Sequence, residues 1–304
     1  MHSSGDSASA SRNADKPAFR PRESATRSPF DIFGRNIRKR ALVSLRQWGR
    51  ITGLAKTNFL LYIIRSHQPT ATSHGQRNMR DLYLTRTRSR EVDAMAISEY
   101  LIPGIVLMEN AGRGAVDALV DYGIYGHILI CCGKGNNAGD GFVMARHLAL
   151  RGYPATLWLF APPEEFSGDV AINYEIAKNC RIPMVDFLAA GRCSRDGMWR
   201  KFETLLHQSD WVVDSLLGTG AVGAPREPFA GAIRRINHAK KKVLAVDLPS
   251  GLDADTGKPS DPTLRATLTC TFFANKIGLG KTAAEPFVGE IEVCDIGFPP
   301  SLLQ

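Results

Sequence analysis

Short apolar runs alternate with amphipathic stretches along most of the chain, and this alternation begins at residue 82. The runs are four to six residues long, as expected for strands buried inside a parallel sheet. They cover residues 127–132, 155–160, 211–214, 243–247, 267–272 and 291–296. The stretches with apolar side chains at helical spacing cover residues 87–100, 106–119, 170–180 and 229–238. Strands separated by helices predict an α/β protein: a three-layer, Rossmann-like fold with a largely parallel sheet flanked by helices.

The first 80 residues differ from the rest in composition and charge. They carry 15 Lys and Arg against 4 Asp and Glu, a net charge of +11, whereas residues 81–304 carry a net charge of −3. A polar, charged segment cannot bury enough apolar surface to offset its ordering entropy, so we expect a disordered basic arm over 1–80 and one domain over 81–304. The arm is either an organelle-targeting segment, with a basic amphipathic helix over 37–65, or a stretch that precedes a translation start at Met79.

Charge and hydropathy also exclude some classes of function. The mildly acidic body has no clustered basic face, so we expect no nucleic-acid partner. No apolar run approaches the roughly 20 residues that a membrane span requires, and no cleavable signal opens the chain, so we expect no membrane insertion. The six cysteines form no Cys-x-x-Cys pair, and free thiols suit a reducing compartment. We therefore expect a cytoplasmic protein, or an organellar one if the arm directs it there.

Three of the predicted strands end in a polar or glycine-rich turn, at Cys132, Asp214 and Asp247. In an open α/β sheet, ligands bind outside the carboxyl ends of the strands. We therefore expect these three ends to converge on one crevice, although the first and the last are more than 100 residues apart in the chain.

The turn after the first of these strands is Gly133-Lys-Gly-Asn-Asn-Ala-Gly-Asp-Gly141, and it leads into a helix. Its glycines would let the backbone approach a ligand, and a helix N-terminus offers free N–H groups to phosphate. This turn and Gly218-Thr-Gly-Ala-Val-Gly223 both fit the glycine pattern of dinucleotide-binding dehydrogenases. Two details argue against a dehydrogenase: Asp140 would repel a pyrophosphate unless its carboxylate is turned away or neutralised, and Pro225 and Pro228 interrupt the helix start after the second pattern. A tight strand-to-helix connection without any ligand also explains such a turn.

Six motifs, in this order along the chain, resemble those of the NAD(P)H-hydrate epimerase family over residues 82–304. They are Met108-Glu-Asn-Ala-Gly112, Gly135-Asn-Asn-Ala-Gly-Asp-Gly141, Val213-Asp-Ser-Leu-Leu-Gly-Thr-Gly220, Val246-Asp-Leu-Pro-Ser-Gly-Leu-Asp253, Thr271-Phe-Phe-Ala-Asn-Lys-Ile-Gly278 and Gly289-Glu-Ile-Glu-Val-Cys-Asp-Ile-Gly297. One departure is visible, because Ala138 stands where the family's Asn-Asn-Gly-Gly-Asp-Gly motif has its first glycine. A positive φ at this position would strain the backbone.

The resemblance implies an isomerase that interconverts the R and S epimers of the C6 hydrates of NADH and NADPH, a repair of damaged nicotinamide nucleotides. The substrate-binding residues that it implies are Asn136, Asn137, Ala138, Gly139, Asp140, Gly218, Thr219, Gly220, Ala221, Val222, Gly223, Ala224 and Asp247. It also implies a potassium ion held by Asn137, Asp214 and Ser250 together with backbone carbonyls. Hard oxygen ligands suit an alkali cation, which would reduce repulsion between the site carboxylates and the substrate phosphates.

The expected chemistry needs an acid–base group. Inversion at C6 requires the hydroxyl to leave, assisted by the ring nitrogen, and water to return on the other face of the ring. A carboxyl of raised pKa can act first as the acid and then as the base. Asp214 is our first candidate for this catalytic group and Asp140 is our second, while Asp247 is expected to position ribose or phosphate. Capping of the following turn is the alternative role for Asp214, and Lys276 is a weaker candidate for contact with the site.

Two other functions remain open from the sequence. A binding or scaffold protein on the same fold would be expected to lose acids at the strand ends, whereas Asp140, Asp214 and Asp247 are all present. An NAD(P)-dependent oxidoreductase is disfavoured by the two imperfect glycine patterns. If the chain is an epimerase that stops at Gln304, a separate NAD(P)H-hydrate dehydratase is its expected pathway partner. The sequence leaves open whether the chain forms a homodimer.

Overall fold

The computed structural model describes residues 81–187 and 194–303. The arm predicted over 1–80 lies outside these residues, so its disorder and its targeting role stay predictions. Among the helices of the described ranges, none is long and apolar enough to cross a membrane.

Nine strands are present in the described residues. They are β1 (Tyr83–Leu84), β2 (Ile128–Cys132), β3 (Ala155–Leu159), β4 (Met184–Asp186), β5 (Trp211–Ser215), β6 (Lys242–Val246), β7 (Leu268–Phe272), β8 (Asn275–Lys276) and β9 (Glu290–Cys294). Seven of them form a wholly parallel sheet in the order β4-β3-β2-β5-β6-β7-β9. Strands β1 and β8 pair with each other in a separate parallel ladder. The largely parallel sheet predicted from the alternating pattern is therefore confirmed.

Helices connect most of these strands. They are α1 (Arg86–Ser98), α2 (Gly104–Tyr122), α3 (Asn136–Leu150), α4 (Gly168–Asn179), α5 (Arg195–Gln208), α6 (Phe229–Ala239) and the short α7 (Glu285–Val288). Thr85 caps α1, because its side chain accepts a hydrogen bond from the backbone N–H of Arg88. Helix α2 ends at Gly123, whose φ of 92° is the left-handed conformation that glycine adopts at helix ends.

The core lies on both faces of the central sheet. Successive side chains of a strand point to opposite faces, so the five apolar residues of β2 serve two cores. Ile128 and Ile130 belong to a cluster with residues of α2, α3 and α4. Leu129 and Cys131 belong to a second cluster with residues of α5 and α6. The structure thus has three layers, helices on each side of one sheet, as the sequence predicts.

Several elements were not predicted from the sequence pattern, among them the short helix α7 (Glu285–Val288). Helix α5 buries only Met198, Phe202 and Leu206, a narrow stripe spaced by four residues in an otherwise polar segment. Strand β4 has three half-buried residues at the edge of the sheet. The β1–β8 ladder is two residues long and joins segments that are far apart in sequence. Periodicity cannot identify such short or weakly apolar elements.

Candidate functional site

A cavity of about 620 Å³ lies at the carboxyl ends of the central strands, a size typical of small-molecule sites. Strand β5 lies between β2 and β6 and pairs with both, with Cys132 opposite Ser215 and Asp214 opposite Ala245. The predicted convergence of three strand ends is therefore confirmed. The cavity is also lined by residues of α1, of the first half of α2 and of the N-terminal turn of α3.

The glycine-rich turn after β2 delivers the N-terminus of α3 to this cavity. Asn136, Asn137 and Asp140 line the cavity, whereas Ala138 and Gly139 are buried in the helix and are not part of its lining. The first N–H groups of a helix have no partner inside the helix, and the helix dipole places positive partial charge there. This end of α3 can therefore bind an anion such as a phosphate.

Ala138 and the glycines that follow it are explained by helix packing. Ala138 lies inside α3 and is not among the residues with positive φ, so its methyl group causes no backbone strain. A Cβ added to Gly139 would lie 2.5 Å from Sδ of Met108, and one added to Gly141 would lie 2.7 Å from Oγ of Ser215. Close contact with β5 therefore constrains Gly141, whereas the atoms nearest to Gly139 belong to the end of the flexible Met108 side chain, which can shift.

Asp140 is the carboxyl group of this turn that faces the cavity. Its side chain is buried, and burial raises its pKa well above the ordinary value. The neighbouring acids Asp247 and Asp93 raise the pKa further, while Lys276 opposes them. A carboxyl in such surroundings keeps its proton to higher pH and can donate it to a ligand.

Asp247 and Lys276 form a buried ion pair at the cavity wall. Asp247 follows β6 with a φ of 68°, a region that residues other than glycine rarely adopt. Its Oδ1 lies 2.9 Å from Nζ of Lys276, and its Oδ2 accepts a hydrogen bond of 3.0 Å from the backbone N–H of Thr219. Lys276 also donates to the carbonyl oxygen of Phe272 and lines the cavity. The structure thus places in the site a lysine that was only a weaker candidate from the sequence.

Asp214 lies at the same end of the sheet but is fully buried and does not line the cavity. Its Oδ1 accepts hydrogen bonds from Oγ of Ser250 at 2.7 Å and from the backbone N–H of Leu216 at 3.2 Å, and its Oδ2 accepts one from the Ser250 N–H at 2.8 Å. Burial raises the pKa of Asp214 to about 6, and these hydrogen bonds oppose the shift. Its carboxylate ties the turn after β5 to the turn after β6.

Asn137 has an unusual environment. Its side-chain Oδ1 and Nδ2 are buried and have no hydrogen-bond partner among the described residues. A Cβ added to Gly218 would lie 3.4 Å from this Oδ1, while the N–H of Leu217 donates to Oγ of Ser250 at 3.0 Å. The three predicted potassium ligands thus surround one turn, residues 216–218. Buried polar atoms without a partner are rare in folded proteins and call for a missing ligand, ion or water.

Sequence reasoning missed Asp93. This residue of α1 lines the cavity, and burial raises its pKa to about 6, with Lys276 opposing the shift and Asp247 adding to it. It is flanked on the helix by the buried Val92 and Ala96. An acid at the border of an apolar stripe is the only local signal, and it does not reveal that this side of α1 faces a cavity.

Only part of the second glycine pattern, Gly218–Gly223, lines the cavity. Gly218, Thr219, Gly220 and Ala221 line the cavity. The last three predicted substrate-binding residues, Val222, Gly223 and Ala224, are absent from its lining, and the Val222 side chain is 77% exposed.

Comparisons with known proteins agree on one family. The family model described as "YjeF-related protein N-terminus" matches residues 104–278. An NAD(P)H-hydrate epimerase of Pirellula staleyi is 42% identical over 219 residues, which are 72% of this chain and 94% of that protein. A bifunctional NAD(P)H-hydrate repair enzyme, Nnr, of Moorella thermoacetica is 41% identical over 228 residues, which are 73% of this chain but only 42% of that protein.

A solved structure supports the fold. The crystal structure of the yeast protein YNL200c matches with a TM-score of 0.59 and 20% identity, covering 72% of this chain and 95% of that chain. At this low identity the match is informative about the three-layer fold alone.

Proposed function

Since this chain belongs to the YjeF-related protein N-terminus family, whose relatives include NAD(P)H-hydrate epimerases, we propose that it is an epimerase acting on the R and S hydrates of NADH and NADPH. One observation carries the proposal: a desolvated carboxyl, Asp140, faces a nucleotide-sized cavity beside the buried Asp247–Lys276 pair. An acid group, an anion-binding helix end and a fixed charge pair are together what this reaction requires.

The substrate is held by two backbone segments in this proposal. Its pyrophosphate binds at the first turn of α3, near Asn136 and Asn137, because free N–H groups and the helix dipole favour an anion there. The loop over 218–221, which also lines the cavity, is the second segment that would contact the nucleotide. Asp247, held in place by Lys276 and Thr219, is available to position a ribose hydroxyl.

Asp140 is the acid–base group in this proposal. Its protonated carboxyl gives a proton to the C6 hydroxyl, which leaves as water with electrons supplied by the ring nitrogen. The resulting carboxylate takes a proton when water adds back on the face of the ring that Asp140 reaches. Asp214, the first candidate from the sequence, is less suited to this role, because its oxygens already accept three hydrogen bonds and it has no surface on the cavity.

Asp214 fits better as a ligand of a potassium ion together with Asn137 and Ser250. The support is the buried Oδ1 of Asn137, which has no partner among the described residues, in a set of amide, hydroxyl and carboxylate oxygens that suits a hard cation. When bound, the ion would supply positive charge that reduces repulsion between the site carboxylates and the substrate phosphates.

A separate NAD(P)H-hydrate dehydratase is the proposed pathway partner, one that consumes the S epimer. The Moorella thermoacetica relative is named a bifunctional repair enzyme, and this chain covers 42% of it. Homodimer formation and the cellular compartment stay predictions.

The proposal is tested by incubating the full chain with the separated R and S hydrates and following both by chromatography, with a blank for spontaneous interconversion. We expect each epimer to approach the same equilibrium mixture, faster with potassium than with sodium. Ser250→Ala should raise the potassium concentration needed for half of the full rate. Ser98→Ala, on the exposed end of α1, is the matched control.

Two results would contradict the proposal. If the folded chain interconverts the two hydrates no faster than the blank, it is not an epimerase. This result would favour a binding or scaffold role on the same fold. Reduction of oxidised NAD(P) with an alcohol would instead support an oxidoreductase.

A further inference from the structure

The cavity contains more carboxyl groups than a single acid–base step requires. Asp93, Asp140, Asp169 and Asp247 all line it, and the three of these that interact with the buried Lys276 and with one another are Asp93, Asp140 and Asp247. The lysine pairs with Asp247 at 2.9 Å. Asp93 and Asp140 therefore remain as the two carboxyl groups of this cluster that have no direct ion pair among the described residues.

These two carboxyl groups come from different parts of the fold. Asp140 belongs to the first turns of α3, which follows β2. Asp93 belongs to α1, and its neighbours Val92 and Ala96 anchor that helix in the core. The charged groups facing Asp93 are Asp247 and Lys276 from the strand ends and Asp140 from α3. Burial in this cluster raises the pKa of Asp93 to about 6, so it can both give and take a proton near neutral pH.

Inversion at C6 sets a geometric requirement. The C6–O bond breaks on one face of the nicotinamide ring: the oxygen takes a proton from an acid, water leaves, and the ring nitrogen supplies the electron pair. Water then adds to the other face, and its proton goes to a base. A single side chain cannot reach both faces of a ring held in one pose, but two side chains from different elements can.

Resting on the proposed function, we infer that Asp93 is the second acid–base group of the epimerisation and serves the face of the ring that Asp140 does not serve. Asp247 is unsuited to this role because both of its oxygens are already engaged, Oδ1 by Nζ of Lys276 and Oδ2 by the Thr219 N–H. Asp214 is unsuited because it does not reach the cavity. The proton balance closes over one inversion, since one carboxyl group loses a proton and the other gains it, and solvent restores both.

The test uses the full chain in water enriched in oxygen-18. Departure and return of water on the same face exchanges the C6 oxygen without inversion, so exchange into each epimer reports each face separately. In Asp93→Asn we expect interconversion to fall about 100-fold or more. Oxygen exchange should persist in one epimer and fall in the other. Asp140→Asn should show the mirror result, with exchange persisting in the opposite epimer.

Controls keep the inference falsifiable. Glu91→Gln removes an acid from the same helix, on the surface beside Arg88, and should leave interconversion and both exchange rates unchanged. Asp93→Glu keeps a carboxyl group at this position and should retain more activity than Asp93→Asn. This variant can be measured even if Asp93→Asn folds poorly. A wild-type rate in Asp93→Asn, equal loss of exchange from both epimers, or no recovery in Asp93→Glu would overturn the inference. If the wild-type chain itself fails to interconvert the hydrates, the proposed function fails first.

Discussion

The two ends of the central sheet both bury polar side chains, but they use them differently. At the amino end, the ring of His127 lies between Oγ of Ser209 and Oγ1 of Thr156, at 3.0 and 2.9 Å, while its backbone N–H donates to Asp210. At the carboxyl end, the Asn137 side chain has no partner among the described residues, and the carboxyl groups of Asp93 and Asp140 line a cavity without an ion pair of their own.

The comparison separates structural polar groups from functional ones. Burial lowers the pKa of His127, and its neutral ring satisfies both hydroxyl neighbours, so this cluster is complete without a ligand. Burial at the carboxyl end raises the pKa values of Asp93 and Asp140 and leaves them with protons to transfer. Polar burial alone therefore does not identify a site. A buried polar atom without a partner is not sufficient either, because Nε1 of Trp211, at the amino end, has none in the described part of the chain. The carboxyl end differs in that its unused hydrogen-bonding capacity lies at the wall of a cavity.

The largest expected effect is the loss of activity in Asp140→Asn, at the carboxyl end of the sheet. We expect kcat/KM to fall by about 100- to 10,000-fold, since the proton donor is lost, which corresponds to about 3–5 kcal/mol of barrier. Stability should not fall, because asparagine has the shape of the neutral acid. Epimerisation kinetics and thermal unfolding measure the two effects. Asp121→Asn, exposed on α2, should change neither, and an active Asp140→Asn would remove the contrast.

The next effect concerns pH and Asp93. Its pKa rises from an ordinary 3.8 to about 6 on folding, so the folded chain binds more protons than the unfolded chain between these values. Stability from this group is therefore present at acid pH and is lost as the pH rises through about 6, at a cost of about 3 kcal/mol. Asp93→Asn should lack this loss in urea unfolding followed across that range. An unchanged pH slope would show that Asp93 is well solvated.

At the amino end, His127→Leu should lower the free energy of unfolding by about 2 kcal/mol, because the hydroxyl groups of Ser209 and Thr156 lose a buried partner. Epimerase activity should stay normal, the reverse of the result expected for Asp140. Urea unfolding and the kinetic assay on the same preparation check both statements. A large loss of activity in a folded His127→Leu variant would show that the amino end of the sheet also contributes to function.

The smallest effect is expected at Ala138→Gly. Ala138 is helical and fully buried, so glycine should cost about 1 kcal/mol of stability by its lower helix propensity. Activity should change little, because position 138 does not line the cavity. An increase in stability would mean instead that alanine is strained there.

Much of the fold follows from sequence because the central strands are nearly continuous apolar runs. The runs ending at Cys132, Asp214 and Asp247 could be placed side by side by the rule that ligands bind at the carboxyl ends of parallel strands. Helix α5 could not be predicted, because three buried residues in a polar segment give too weak a pattern.

The site was less predictable than the fold. The glycine-rich turn and Asp140 were identified from local sequence, but the depth of Asp214 depends on packing from Ser250 and on the turn after β5. Asp93 and Lys276 enter the site because α1 and β8 are brought to the strand ends by the tertiary fold. The spacing of residues along the chain does not reveal which distant elements the tertiary fold brings together at the site.

The β1–β8 ladder has a consequence for where the domain begins. The N–H of Asn275 donates to the carbonyl oxygen of Leu82 at 2.9 Å, and Leu84 is the register partner of Lys276. The first described strand thus holds the backbone from which the site lysine extends. A chain that starts at Met79 would keep the pairing of β1 with β8. A chain that starts after Leu84 would lose this pairing, although it would keep all seven strands of the central sheet. The boundary of the working enzyme therefore lies about 44 residues before Ile128, where the first strand of its sheet begins.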